Sequence, residues 1–413
     1  MERKRVIRYF AALQFLLYAS VGLWGFCVIY FRDLGFSSWE IGLMSTAGTG
    51  LSLLVLPFLG ILGDRLRSPR SILIWMAAGL IPLKLLLPAA GETLGRVLIP
   101  FVVLSALNLL AVRVAVAMAD AWAGEAVSRL DIPYGSVRLF GSLGYICASL
   151  LASALVGRVL PSWSGCVMMA AAGVPLLLLA AGPGGAKFSA PREKAGAEQT
   201  PASTSGLLRM VLCNFYFMTY LLLVLAFCAF LAIVDIDMTY LMDEIGAARS
   251  AVGIVGSFRA ALEVAVMLLL GRARRLPPQW ILLALSGFLV AAEHLLYPSI
   301  HGLGGMLAVT VCSGVAGGFY YGLAPNYVFR IVDRRAAATS MALLAVVQSL
   351  IGMVGAFLSG EIIDRRGVLT LTTAVGLLAL GLTALFVLAC LGGRLVLKLP
   401  YASERGENPD GNC

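Results

Sequence analysis

Long apolar blocks alternate along this chain with short polar stretches. They fall near residues 8–31, 39–62, 71–90, 95–121, 134–157 and 163–182, then near 207–241, 247–270, 279–298, 303–327, 336–358 and 368–391. About 20 apolar residues in a helix cross a hydrocarbon layer of ~30 Å. The blocks are continuous and do not alternate as half-buried strands do. Each predicts a transmembrane helix, because a lone segment in lipid must satisfy its own backbone. Six blocks, a break and six more suggest two parallel repeats. The break is rich in Gly, Pro, Lys, Glu, Ser and Thr, which cannot pack, so it predicts a flexible linker. The expected architecture is all-α and polytopic. A six-helix bundle over 1–182 is followed by a cytoplasmic linker over 183–206, a second six-helix bundle over 207–395 and a cytoplasmic tail over 396–413.

Composition agrees with the pattern. Of the 413 residues, 60% are hydrophobic and 13% charged, about half the ~25% charged content of soluble domains. The net charge of +9 does not signal nucleic acid, because the basic residues sit in short loops between apolar spans. With the N-terminus inside, 21 Lys and Arg fall on the cytoplasmic side and 6 on the outer side, so both termini are expected in the cytoplasm. The first apolar block follows Met1-Glu2-Arg3-Lys4-Arg5 with no cleavage-site pattern and reads as a first transmembrane helix. The 8 cysteines show no metal-ligand spacing and read as small packing residues. No metal or other cofactor is expected. A membrane enzyme would need a nucleophile–base pair or a metal cluster, and the only histidines are His294 and His301.

Charged residues inside the spans are the candidate chemistry, since an ionisable group in hydrocarbon is costly and calls for a partner or a cavity. Asp120 ends span four and Arg138 begins span five. An acid and an arginine on adjacent helices can pair across a cavity, and a hydroxyl-bearing solute can bridge them. The alternative is that Arg138 snorkels to the headgroups. Tyr145 shares the face of Arg138, and Gly135, Gly141 and Gly144 on the same helix allow close approach of a neighbour. Glu263 lies mid-span eight with Arg259 one turn earlier, either as a self-contained pair or as a ligand for solute or proton. Glu293 and His294 in span nine have the chemistry of proton coupling, or form an interfacial pair near Pro298. Asp235 and Asp237 face different sides of span seven. Arg113 shares a helix face with Asp120, and Lys84 snorkels toward the outer end of span three. Gly314, Gly317, Gly318 and Gly322 in span ten suit close helix packing.

Some stretches carry a family likeness. The segment Gly60-x-x-x-Asp64-Arg65, with Arg70 beyond it, resembles the cytoplasmic signature between helices two and three of the major facilitator superfamily. Arg67 stands where that pattern usually has Gly. Ala119-Asp120-Ala121 followed by Tyr134-Gly135-Ser136-Val137-Arg138-Leu139-Phe140-Gly141-Ser142-Leu143-Gly144-Tyr145 resembles the branch holding lactose permease, the nucleoside–proton symporters and the phenylpropionate permeases. The resemblance implies substrate contacts at Asp120, Arg138, Tyr145 and Glu263, with Gly60, Asp64 and Arg65 in gating. In lactose permease a histidine and a glutamate of helix ten serve proton coupling. Ser313 and Ala316 stand at the matching places here, which leaves Glu263, Asp120, Glu293 or His294 to take the proton. A second such stretch, Glu361-x-x-Asp364-Arg365-Arg366-Gly367, reads as an outer turn.

The expectation is a monomeric inner-membrane transporter working by alternating access. It would carry a sugar, a nucleoside or an aromatic acid, with proton symport. Asp120 and Glu263 favour a neutral, hydroxyl-rich solute, while Arg138 and Arg113 keep a carboxylate open. The alternative is an exporter of drugs or metabolites with the same fold.

Overall fold

A computed structural model describes residues 2–65, 69–128, 130, 132, 134–186, 204–273, 277–333 and 336–396. In chain order the helices are α1 (Glu2–Val21), α2 (Trp24–Asp33), α3 (Ser38–Arg65), α4 (Pro69–Leu94), α5 (Leu98–Ser128), α6 (Gly135–Leu155), α7 (Ser164–Ala181), α8 (Pro183–Ala186), α9 (Thr204–Leu212), α10 (Phe215–Glu244), α11 (Val252–Arg272), α12 (Gln279–Leu296), α13 (Gly302–Ile331), α14 (Ala337–Arg366) and α15 (Val368–Leu391). Among the described residues, 11 helical segments are long and apolar enough to cross a membrane, and Phe215–Ala229 of α10 adds a shorter apolar one. No sheet forms among them; Val156 and Leu160 make an isolated bridge.

These helices form two pseudo-symmetric six-helix bundles, and their packing repeats between the halves. In the first, α1 packs on α6 and α7, α5 on α3 and α4, and α4 on α7. In the second, α10 packs on α14 and α15, α13 on α11 and α12, and α12 on α15. Counting α1 and α2 as one span, every contact of the first set has its counterpart in the second. The main contacts between bundles, α3 with α14 and α6 with α11, also exchange under that correspondence. Lipid offers no hydrophobic drive for helices to associate, so close packing of small residues must supply the contact. Gly144 of α6 meets the Phe15 backbone of α1, where a Cβ would collide with the carbonyl.

Two of the three apolar clusters are each confined to one bundle. Phe10 and Trp122, with ring centroids 5.0 Å apart, sit in the first. Phe227 stacks on Tyr320 at 3.9 Å in the second. The third cluster joins both bundles at one end, where Phe26, Phe31 and Phe101 meet Leu241, Val252 and Ala356. That end is closed.

Three local breaks differ from the expected spans. Span one is interrupted: α1 stops at Val21, and Leu23 (φ −104°, ψ 21°) precedes α2. Gly22 sits at this break, where a Cβ would strike the Tyr145 ring of α6. Span seven begins as α9 and restarts at Asn214. The Asn214 side chain accepts from Phe217 N at 2.9 Å and donates to the Ile331 carbonyl at 2.7 Å, a helix cap that also ties α10 to α13. The stretch through Asp364 is not a turn but the last part of α14, with the turn itself at Gly367 (φ +84°).

Candidate functional site

The break in span one opens onto a cavity of about 230 Å³ just inside the closed end. Its wall is drawn from both bundles. Val21, Gly22, Trp24, Gly25 and Phe26 come from the break, and Tyr145 and Ser149 from α6. Facing them are Thr239 of α10, Gly253, Gly256 and Arg259 of α11, Glu293 of α12, and Thr310 and Ser313 of α13. Tyr145 fits between two glycines of opposite bundles: a Cβ at Gly22 would collide with its ring and one at Gly256 with its hydroxyl. The aromatic expected to face a solute does line the cavity, and it also bridges the halves.

Two charged residues of the second bundle, Arg259 and Glu293, line this cavity. Arg259 Nε lies 3.6 Å from Glu263 Oε1, the i,i+4 pair expected on α11. Glu263 packs on Gly317 of α13, which has room for its carboxyl only because it is glycine. Glu293 is buried in the protein, 1% exposed. Its Oε1 accepts from the Tyr297 hydroxyl at 2.6 Å and the Ser313 hydroxyl at 3.0 Å. Its Oε2 is buried without a hydrogen-bond partner. Ser313, at a place where the resemblance loses a coupling residue, thus holds another acid. His294 is equally buried, but its Nδ1 lies 2.9 Å from its own helix at the Val290 carbonyl and the residue does not line the cavity.

The charges of the first bundle form a separate group. Asp120 Oδ1 accepts from Gln14 Nε2 at 2.9 Å and from the Tyr134 hydroxyl at 2.7 Å. Arg138 Nη2 donates to the Tyr18 hydroxyl at 2.8 Å, and its guanidinium lies 4.1 Å from the centroid of that ring. Among the described residues Asp120 and Arg138 form no direct ion pair; each is held by tyrosine. Gln14 and Tyr18, both from α1, carry no charge and so gave no signal in the sequence. Arg113 donates to Thr49 of α3 at 3.2 Å.

Lys84 does not snorkel. It is 1% exposed inside the first bundle, 3.3 Å from Asn108 Oδ1 and 3.1 Å from Met169 Sδ. The surroundings of Gly60 and the side chains of Asp64 and Arg65, expected in gating, lie outside the described residues, as do the side chains of Asp235 and Asp237. No group of three or more His, Cys, Asp or Glu that could hold a metal ion occurs among the described residues.

A polar latch at the closed end was not foreseen. Arg32 of α2 reaches across to Asp243 of α10 at 2.6 Å and to the Thr239 carbonyl at 2.8 Å, with its guanidinium 3.8 Å from the Tyr240 ring centroid. Arg249 bridges Asp243 at 2.8 Å and Asp33 at 3.1 Å. The Ser153 hydroxyl donates to the Ser250 carbonyl. Asp364, at the end of α14, caps α3: its Oδ1 accepts from Ser38 N at 3.0 Å and its Oδ2 from Trp39 N at 2.9 Å.

The sequence model of the MFS_1 like family matches residues 7–373. No curated protein sequence matches the chain. Among solved structures, a point mutant of the nucleoside transporter NupG aligns with a TM-score of 0.76 at 16% identity, over 93% of this chain and 99% of that one. A bacterial homolog of the human lysosomal transporter Spinster, in an inward-facing and unoccupied conformation, aligns with a TM-score of 0.68 at 16% identity, over 96% and 98%. A POT family transporter in complex with 5-aminolevulinic acid aligns with a TM-score of 0.70 at 10% identity, over 94% and 96%. At these identities the structural likeness speaks for the fold.

Proposed function

This chain belongs to the MFS_1 like family of transporters, and we propose that it carries a small organic solute across the inner membrane by alternating access with proton symport. In this reading residues 1–182 and 207–395 rock as units about the cavity. The linker 183–206, the tail 396–413 and both termini are cytoplasmic, and the protein works as a monomer. The latched end then faces outward, and the present state is open to the cytoplasm. Sugar, nucleoside and aromatic acid remain the solute classes. Solved structures of this fold include a nucleoside transporter and a peptide transporter, which supports a small solute.

One observation carries the reading: a cavity shared by both bundles, behind a latched end, holds Arg259 in contact with Glu263. That pair suggests how proton and solute are linked. While Glu263 is ionised it engages the guanidinium. A proton on Glu263 removes that carboxylate's charge and loosens its hold on Arg259, which then turns toward an acceptor group of the solute. Proton and solute then bind together. Asp120, Arg138 and Tyr145 complete the substrate contacts from the first bundle, and Asp64 and Arg65 after Gly60 act in gating at the opposite end.

The test is uptake into proteoliposomes under an imposed proton gradient. Wild type should accumulate its solute when the outside is acid. Glu263→Gln, fixed in the neutral form, should still exchange solute across the membrane but lose accumulation. If wild-type uptake ignores the gradient, the coupling falls. Export is the second reading, favoured by Ser313 and Ala316 at the places where lactose permease has coupling residues; outward movement of solute in energised vesicles would select it.

A further inference from the structure

We propose that Cys27 and Cys166 form a redox site, an oxidisable pair whose disulfide fastens the half-helix α2 to α7 of its own bundle. The pair stands on its own geometry and does not depend on the transport reading.

Cys27 lies in α2, shortly after the break in span one, and Cys166 is the third residue of α7. Their Sγ atoms are 3.3 Å apart. Both residues are 0% exposed, and both thiols are free. From that separation an approach of about 1 Å brings the sulfurs to the ~2.05 Å of an S–S bond. Packing alone asks for two small apolar side chains here. It does not ask that two sulfurs meet.

The surroundings suit thiol chemistry. Lys84 of α4 is 1% exposed, and its Nζ lies 3.1 Å from Sδ of Met169, one turn beyond Cys166 on α7. The charge of Lys84 acts on both thiols. Cys166 sits in the first turn of α7, a helix start with no side-chain cap. A neighbouring cation and a helix N-terminus are settings in which cysteines react, because the thiolate is the attacking species.

Oxidation of the pair is a two-electron step. One thiol attacks the disulfide of a small thiol or of another protein, forms a mixed disulfide and releases one thiol. The second cysteine attacks the sulfur of the first, closes the Cys27–Cys166 bond and releases the other thiol. Two electrons and two protons leave the pair and end on the two released thiols. Both sulfurs are shut in the apolar cluster that joins the bundles, so an oxidant meets them when the closed end opens. In the transport reading that end faces outward, the side on which disulfides persist. Arg32 pulls α2 toward Asp243 of the opposite bundle. A covalent bond outlasts that ion pair. Oxidation therefore assigns α2 to the first bundle and leaves the ion pair as the contact that yields.

The test uses the full-length protein in nanodiscs, first reduced and then treated with diamide, a small permeant oxidant whose N=N bond takes up both hydrogens. Remaining thiols are blocked with N-ethylmaleimide in denaturant, and the digest is read by mass spectrometry without reduction. In wild type the main linked product should join Cys27 to Cys166. The melting temperature should rise by about 3 °C or more, and a phosphine reductant should reverse the rise. Cys27→Ala and Cys166→Ala should each lose the linked peptide and the rise together. Absence of the link in wild type, or linkage mainly to other cysteines, overturns the site. A linked pair whose melting temperature stays within about 1 °C of the reduced protein overturns the fastening of α2. The wild-type peptide map decides even if a variant misfolds. Neither result touches the transport reading, which stands or falls on uptake under a proton gradient.

Discussion

Asp364 offers the sharpest perturbation of the latch. Its two oxygens each accept a backbone N–H at the start of α3, from Ser38 at 3.0 Å and Trp39 at 2.9 Å. Asparagine keeps one acceptor oxygen and loses the charge. A hydrogen bond to a charged group is worth ~1.5–3 kcal/mol, and a negative charge at a helix N-terminus adds ~0.3–1 kcal/mol. The carboxylate is exposed, so solvent screening reduces both, and a net loss of about 1–2 kcal/mol is reasonable. In the proposed cycle α3 and α14 part when this end opens, so that loss falls on the closed state alone. The open population should therefore rise about five- to thirty-fold in Asp364→Asn. Ala251, 1% exposed in the shared apolar cluster, is a suitable reporter: Ala251→Cys adds little volume. Its modification by a membrane-impermeant thiol reagent reports how often the end opens, with the parent protein giving the background from native cysteines. A rate unchanged within about twofold would show that the cap does not hold the closed state, and would remove the helix dipole from the account of the gate.

Other outcomes follow from packing and charge. Gly144→Leu would drive a side chain into the Phe15 backbone, and overpacking of that kind costs ~1–3 kcal/mol, seen as a lower melting temperature in detergent. Lys84→Met should melt at the same temperature or higher, because a buried ammonium whose described contacts are an amide and a thioether costs more than an apolar side chain of similar shape. A clear fall in melting temperature would instead assign Lys84 a stabilising role. Tyr134→Phe removes one of the two hydrogen bonds to Asp120 and should cost ~0.5–1.5 kcal/mol of stability; no change would show that Gln14 alone suffices.

How much of this was legible in the chain depended on the range of the interaction. Spans were legible because each is a local run of apolar residues, and their bundling followed from the break after residue 182. The Arg259–Glu263 pair was legible because both residues share one helix face. Glu293 was not. Its nearness to Pro298 suggested an interface, whereas Tyr297 and Ser313 fold over it and remove it from the surface. Gly22 gave no sign of a break, since glycine is common in membrane helices, and the ring of Tyr145, which leaves no room for a Cβ there, lies on another helix. The cap by Asp364 joins residues 326 apart in sequence, and no local pattern marks it. Asp120 and Arg138 were found as charges, but their tyrosine and glutamine partners carry none and remained hidden.

The interrupted first span has a mechanical consequence. α1 packs with α6 and α7, while α2 is tied by Arg32 to the opposite bundle and buried in the shared apolar cluster. α2 also keeps to its own bundle, through Cys27 on Cys166 of α7 and Phe31 on Phe101 of α5, so it is held by both halves, and the cavity lies beside the break that precedes it. In the proposed rocking of the bundles α2 is where the two pulls meet, and the break before it gives the chain a place to bend. A solute seated beside that bend rests on the fulcrum of the movement, so its grip and the angle of the two pieces are set together. Loading the site is then itself the signal that shifts the lever, and no separate relay is needed to carry word of occupancy to the gate.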